Sequence, residues 1–249
     1  MSDVETSLVA GPQARLVHRQ KVAKVLGFLH KVHVGTTSVV ARLLGATSSN
    51  SNRLVQQMVD AGLLRQVEIR HAAQAPRGKG YLLTPLGLSA ACAKLSEKAH
   101  DYDCRPESIR HAQIDHDLFL AEFAATWVRY GGELLETDYT QRGREREGKI
   151  PDLVLRYEKR RVAVEFERLV KKRRELDIAI HSAFESHSLP TIWLSPNACD
   201  VQYLKYTVHA EQMVDRWTLN KSNKSPAATQ TAPLMATQTA PPGRGELTH

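Results

Sequence analysis

The sequence lacks the long apolar runs that would direct the chain into a membrane or out of the cell. None of its apolar runs approaches the roughly 18 residues of a membrane helix, and its first residues contain no hydrophobic signal core. Its cysteines, Cys92, Cys104 and Cys199, are scattered and match neither a zinc-site spacing nor a disulfide framework. These absences predict a cytoplasmic protein without membrane insertion.

The charge of the chain is unevenly distributed. The 249 residues are enough for one large domain or two ordinary ones, with 34 basic and 27 acidic side chains. Residues 1–90 contain 11 basic and 4 acidic side chains, whereas residues 91–217 contain 20 and 22. The N-terminal part is therefore predicted to bind a polyanion.

Apolar residues at helical spacing and capping residues predict three helices in the N-terminal part. Val22, Val25, Leu26 and Leu29 share one face of the first helix, and Thr36–Thr37 cap the second. Three helices followed by a hairpin is the layout of a winged helix-turn-helix, here predicted over residues 16–98. The predicted order is a flexible leader over 1–15, helices over 16–32, 38–44 and 51–61, strands over 63–70 and 81–84 around a basic turn at 75–80, and a helix over 86–98.

The phrases D-A-G-L-L-R at 60–65 and Y-L-L-T-P-L-G at 81–87 resemble the winged helix-turn-helix superfamily over residues 20–90. The resemblance implies that the third helix enters the major groove of DNA and that the wing lies near the backbone or minor groove. A winged helix used for protein contact is the alternative, and the local basic charge favours DNA. The side chains of a type able to reach bases or phosphates are Ser51, Asn52, Arg53, Gln56 and Gln57 on the helix, and Arg77 and Lys79 on the wing.

The second part of the chain is predicted to be an α/β core on one mixed sheet, after a polar linker over 99–106. The whole chain is thus predicted to be a two-domain α+β protein, with this domain over 107–218 and a disordered tail over 219–249. The predicted elements are a helix over 107–130, a strand over 133–139, a mixed-charge loop over 141–149, strands over 153–157 and 161–167, a helix over 171–184, a strand over 190–194 and a helix over 201–217.

Acidic side chains cluster in the predicted hairpin of the second part. Alternation along its second strand places Glu165 and Glu167 on one face, and Asp152 lies at the start of the first strand. Three converging carboxylates with Lys171 and Lys172 just beyond them would suit a hard divalent cation beside a phosphate. A surface hairpin with solvated charges is the other interpretation.

These residues resemble the PD-(D/E)xK nuclease superfamily. Pro151–Asp152 matches the PD pair, and Glu165-Phe166-Glu167 matches the triplet with Glu167 in the place of the lysine. The resemblance implies hydrolysis or nicking of a phosphodiester with Mg²⁺ or Mn²⁺. The roles that it implies are metal binding for Asp152, Glu165 and Glu167, charge stabilisation for Lys171 or Lys172, and an additional acidic ligand at Glu122. His116 is a further catalytic candidate, and a structural hydrogen-bonding role is its alternative.

The chain as a whole resembles the replication-relaxation and MobC-type plasmid mobilisation proteins. The matching phrases are H-D-L-F-L-A-E at 116–122, P-D at 151–152 and V-E-F-E-R-L-V-K-K at 164–172, and no His-x-His triad typical of other relaxases is present. The resemblance implies a relaxase that binds a plasmid origin of transfer and nicks one strand. Its implied partners are DNA, a coupling protein or accessory mobilisation protein, and a second copy in a homodimer.

Two other functions fit the same sequence. One is a DNA-binding regulator or replication accessory protein that uses a degenerate nuclease fold for dimerisation, which the glutamate at 167 favours. The other is a restriction or repair nuclease that cuts both strands. The retained Asp152, Glu165 and Glu167 favour an enzyme.

Overall fold

The computed structural model describes residues 11–70, 77–95, 102–141, 150–157, 159–167, 173–187, 189–195 and 213–215. The tail predicted over 219–249, residues 142–149 of the predicted loop, and Lys171 and Lys172 lie outside these residues. Within them the chain has the predicted α+β class, with helices and two sheets. No helix in the described ranges is both long and apolar enough to cross a membrane.

Polar caps divide the N-terminal part into three helices. The helices are α1 (Pro12–Val32), α2 (Thr37–Leu44) and α3 (Ser48–Asp60). The hydroxyl of Thr36 accepts a hydrogen bond from the backbone of Val39 at 3.3 Å, and Gly45 ends α2 in the left-handed conformation at φ 62°. The hydroxyl of Thr47 caps α3 in the same way, so α3 begins earlier than the predicted start at Ser51. Similarly, α1 begins inside the predicted leader.

A two-stranded antiparallel sheet follows the helices. It consists of β1 (Leu64–Arg70) and β2 (Arg77–Leu83), and α4 (Pro85–Leu95) comes next. The second strand begins within the segment predicted as a turn, and it contains Gly80. A Cβ atom at Gly80 would lie 2.9 Å from Cγ2 of Ile69, which explains why this position of the strand holds glycine.

The C-terminal part forms a five-stranded mixed sheet beside a buried helix. In chain order its elements are α5 (Ile114–Arg129), β3 (Glu133–Thr137), α6 (Asp138–Gln141), β4 (Leu153–Tyr157), β5 (Arg160–Phe166), α7 (Arg173–His187), β6 (Thr191–Leu194) and β7 (Met213–Asp215). The strands lie in the order β3-β4-β5-β6-β7. The β3–β4 and β4–β5 pairs are antiparallel, whereas β5–β6 and β6–β7 are parallel. Since α7 joins β5 to β6, it is the crossover that a parallel pair requires.

Two predicted helices of this part differ from the structure. The helix predicted over 107–130 starts only at Ile114, and two short 3₁₀ turns, Pro106–Ser108 and His111–Gln113, precede it. The helix predicted over 201–217 contains a strand instead, because Met213–Asp215 pairs with β6. Residues 196–212 lie outside the described ranges.

The N-terminal and C-terminal parts share a hydrophobic core. One continuous cluster of buried side chains includes Val25 and Leu43 from the first part and Phe119 and Leu155 from the second. Tyr102, within the predicted linker, is 8% exposed, and its hydroxyl donates to the carbonyl of His33 at 2.8 Å. The two parts are therefore held against each other by packing as well as by the chain that joins them.

Candidate functional site

The exposed face of α3 carries four of the five helix residues predicted to bind DNA. Leu54, Val55 and Met58 are buried beneath the helix. The exposed side chains are Asn52, Arg53, Gln56 and Gln57. The amide of Gln56 donates to Asp60 at 2.9 Å, which restricts its orientation on the helix surface. A surface helix with amide and guanidinium groups on one side is suited to the donor and acceptor pattern of the major groove.

Ser51 differs from the prediction that it reaches DNA. Its side chain is 1% exposed, and its hydroxyl has no hydrogen-bond partner. The position follows from the helical period, since Ser51 lies on the same side of α3 as Leu54, Val55 and Met58. Ser51 therefore belongs to the packed side of the helix.

The predicted wing residues lie on β2. Lys79 is exposed and stands opposite Glu68 in the β1–β2 register. Arg77 is the first residue of β2, opposite Arg70, and its side chain is outside the described residues. The connection between the strands, 71–76, is also outside them.

Asp152 completes the hydrogen bonding of the sheet where β4 begins. Its Oδ2 accepts a hydrogen bond from the backbone N–H of Phe166 at 2.7 Å. The backbone N–H groups of Ala163 and Glu167 donate to the carbonyls of Pro190 and Leu194, on the β6 side of β5. Because N–H groups alternate in direction along a strand, the N–H of Phe166 points to the β4 side. The carboxylate thus supplies an acceptor where the β4 ladder ends.

His116 lies between two carboxylates. Its Nδ1 is 3.4 Å from Asp117 Oδ1, its Nε2 is 3.5 Å from Asp152 Oδ2, and its ring packs against that of Phe166 with centroids 5.5 Å apart. Burial by itself disfavours the charged ring, but the hydrogen bonds and charges of Asp117 and Asp152 outweigh it and raise the pKa of His116 to about 9. At neutral pH His116 is therefore an imidazolium.

Arg110 extends this network to a third carboxylate. Its guanidinium is 3.3 Å from Asp117 Oδ2 and 3.0 Å from Asp138 Oδ2, and the N–H of Asp138 donates to the carbonyl of Asp152. We call Arg110, His116, Asp117, Asp138 and Asp152 the acidic network. Arg110, Asp117, Asp138 and Asp152 line a cleft, and the network joins the turn before α5 to the starts of α6 and β4.

His33, which also lines this cleft, has a rare backbone conformation. At φ 69° and ψ −62°, His33 forms a γ-turn in which the N–H of Val34 donates to the carbonyl of Val32 at 2.9 Å. Its ring stacks on that of Tyr139 with centroids 4.2 Å apart, and its Nε2 lies 3.0 Å from the hydroxyl of Ser108. These contacts hold the conformation in place.

Glu122 lies between α5 and α2. Its Oε1 accepts a hydrogen bond from the hydroxyl of Ser38 at 2.9 Å, and its Oε2 is 3.1 Å from Nε of Arg42. The Glu122 side chain therefore links α5 of the C-terminal part to α2 of the N-terminal part.

Glu165 and Glu167 are buried in the sheet. Glu165 is 2% exposed and Glu167 is 7% exposed. Phe166 stacks on Phe119 of α5, so alternation directs Glu165 and Glu167 to the face of the sheet away from α5. Asp152, in contrast, reaches His116 on α5.

The residues implied as metal ligands do not form a ligand set in the described part of the chain. Among those residues, no group of three or more His, Cys, Asp or Glu side chains is arranged to hold a metal ion. Asp152 binds a backbone N–H and faces an imidazolium, and Glu122 binds Ser38 and Arg42. Of the implied ligands, Asp152 and Glu122 are therefore engaged by other groups of the chain in the described geometry.

Sequence reasoning did not select Arg110, Asp117 or Asp138. Asp117 could have been selected from the sequence, because it follows His116 in the phrase H-D-L-F-L-A-E. Arg110 and Asp138 are 28 residues apart in the sequence and meet only through the fold.

No protein-family model, curated protein or solved structure matches this chain.

Proposed function

We propose that the protein binds duplex DNA through a winged helix-turn-helix formed by α1–α3, β1 and β2, with α3 in the major groove. The observation that carries the proposal is the face of α3, where Asn52, Arg53, Gln56 and Gln57 are exposed over a buried apolar side. Asn and Gln suit adenine and Arg suits guanine, so this face has the chemistry of base readout.

The charge of the same part of the chain supports DNA as the partner. No aspartate or glutamate occurs from Gly11 to Val59, a range that contains all of α1 and α2 and nearly all of α3. Duplex DNA repels acidic surfaces, and its affinity for proteins comes largely from neutralised phosphates. A protein-binding winged helix would have no reason to exclude acidic residues over this length.

Replacing Arg53 by alanine is expected to weaken binding to the preferred duplex by about 10- to 100-fold, since one good base contact contributes about 1–3 kcal/mol. The probe is a duplex selected from a random-sequence library by the full chain, and fluorescence anisotropy measures Kd. Affinity for an unrelated duplex should fall much less. Arg174→Ala removes an exposed arginine from α7 and should leave both affinities unchanged.

Two results would contradict DNA recognition by α3. The first is a library selection that enriches no sequence, together with no binding of any duplex at low salt. The second is Arg53→Ala and Gln57→Ala variants that bind the selected duplex as tightly as the original chain. Circular dichroism of each variant verifies that α3 still forms.

Strand nicking with Mg²⁺ or Mn²⁺ stays a prediction from the resemblance, as do plasmid mobilisation and its protein partners. Conversion of a supercoiled plasmid that contains the selected duplex to the nicked form measures the activity directly. If nicking depends on Asp152 and Glu165, Asp152→Ala and Glu165→Ala should abolish it while DNA binding is retained.

A further inference from the structure

The first half of α1 projects beyond the hydrophobic core. Every residue from Pro12 to Lys21 is exposed, and the first buried residue of the helix is Val25. At about 1.5 Å per residue this exposed stretch is about 15 Å long. We call residues 12–24 the projecting segment.

Basic side chains dominate the projecting segment. They are Arg15, His18, Arg19, Lys21 and Lys24, and all are exposed. Val25 and Leu29 are buried on one side of α1. Toward the N-terminus, the same side of the helix contains His18, and Arg15 lies one turn earlier at its edge. Where the helix passes beyond the core, the residues on this side therefore change from apolar to basic.

This composition fits a polyanion better than a second copy of the chain. A helical dimer needs apolar side chains repeated along one seam. The segment has two exposed large apolar residues, Leu16 at 50% and Val17 at 39%, and as chain neighbours they point about 100° apart. Two copies of the segment would also bring like charges together, since it contains no acidic residue.

We propose that the projecting segment is a second DNA contact, which binds the phosphate backbone without regard to base sequence. This inference depends on the proposed DNA-binding function and adds a separate surface to it. Cations on a helix release counterions from the duplex, so the segment adds affinity and salt dependence. Base selection remains with α3.

The test is a triple variant, Arg19→Ala, Lys21→Ala and Lys24→Ala, in the full chain. Alanine retains the helix because it has the highest helix propensity. Anisotropy titrations over a range of KCl concentrations give the slope of log Kd against log salt for the selected and an unrelated duplex. Each lost phosphate contact should reduce the slope by about 0.9, so we expect a reduction of about 2 to 3 and an equal loss of affinity on both duplexes.

Two control variants separate charge from shape. Gln13→Ala with Gln20→Ala changes exposed neutral residues of the same segment and should leave the slope unchanged. Arg19→Lys, Lys21→Arg and Lys24→Arg together retain the charges and should also retain the slope. Circular dichroism confirms that helix content is the same in all variants.

The possible failures are distinguishable. If the triple variant binds both duplexes with the original slope while Arg53→Ala still loses specificity, the projecting segment is not a DNA contact and the proposed function stands. If the original chain binds no duplex, the proposed function itself fails. If Leu16→Ala converts a dimer to a monomer in sedimentation and the triple variant retains its DNA affinity, the segment is an interface between copies and the inference is overturned.

Discussion

Replacing Phe166 by alanine is expected to lower the free energy of unfolding by about 3–5 kcal/mol. Phe166 is 8% exposed at the end of β5, and its ring lies parallel to that of Phe119 on α5, with centroids 3.8 Å apart. His116 packs against the same ring. The substitution removes these contacts and leaves a cavity between α5 and the sheet, where a close-packed interior cannot relax fully.

Urea unfolding followed by circular dichroism measures this effect. The control is Phe166→Leu, which preserves much of the apolar volume and should cost clearly less. The slope of free energy against urea should be unchanged in both variants, because the substitution alters stability rather than the surface exposed on unfolding. A midpoint for Phe166→Ala equal to that of the original chain would contradict the packing of α5 on β5 through these two rings.

The N-terminal helices were predictable because their ends depend on neighbouring residues in the chain. Thr36 caps α2, and Gly45 ends it through a left-handed conformation that costs other residues energy. The predicted start of α3 at residue 51 is late because the polar run T-S-S-N at 47–50 is also typical of a turn. Thr47 acts as a cap instead, so the three residues after it are already helical.

The errors in the C-terminal part come from one local hydrogen bond and from contacts that span the fold. Between residues 107 and 113, the hydroxyl of Ser108 donates to the carbonyl of Arg105 at 2.6 Å, which favours a tight turn over a helix. Arg110 is held by Asp117 and Asp138, a contact that the sequence pattern does not contain. The strand β7 forms because β6 offers a parallel edge, and such pairing overrides helical periodicity.

The candidate site was likewise only partly predictable from the sequence. Periodicity indicates which side of an element a residue occupies but not which neighbour covers that side. Alternation along β5 placed Glu165 and Glu167 on one face, yet Asp152 turns toward His116 and the N–H of Phe166. Glu122 meets Ser38, a residue 84 positions earlier, across an interface between the two parts.

Raising the pH from about 6.5 to about 9 is expected to lower the free energy of unfolding through His116. The pKa of His116 is raised to about 9 in the folded protein, against about 6.5 in an unfolded chain. The folded state therefore holds this proton more tightly. The resulting stabilisation is fully present below about pH 6.5 and is lost as the pH rises through about 9, with an upper limit of about 3 kcal/mol.

Urea unfolding from pH 6 to pH 9.5, without added divalent ions, tests this linkage. His116→Gln should remove the decline, since a neutral amide keeps polar contacts with Asp117 and Asp152 but does not titrate. The control His18→Gln replaces an exposed histidine of α1 and should retain the decline. If His116→Gln loses stability with pH as steeply as the original chain, the carboxylates of Asp117 and Asp152 do not hold a proton on His116.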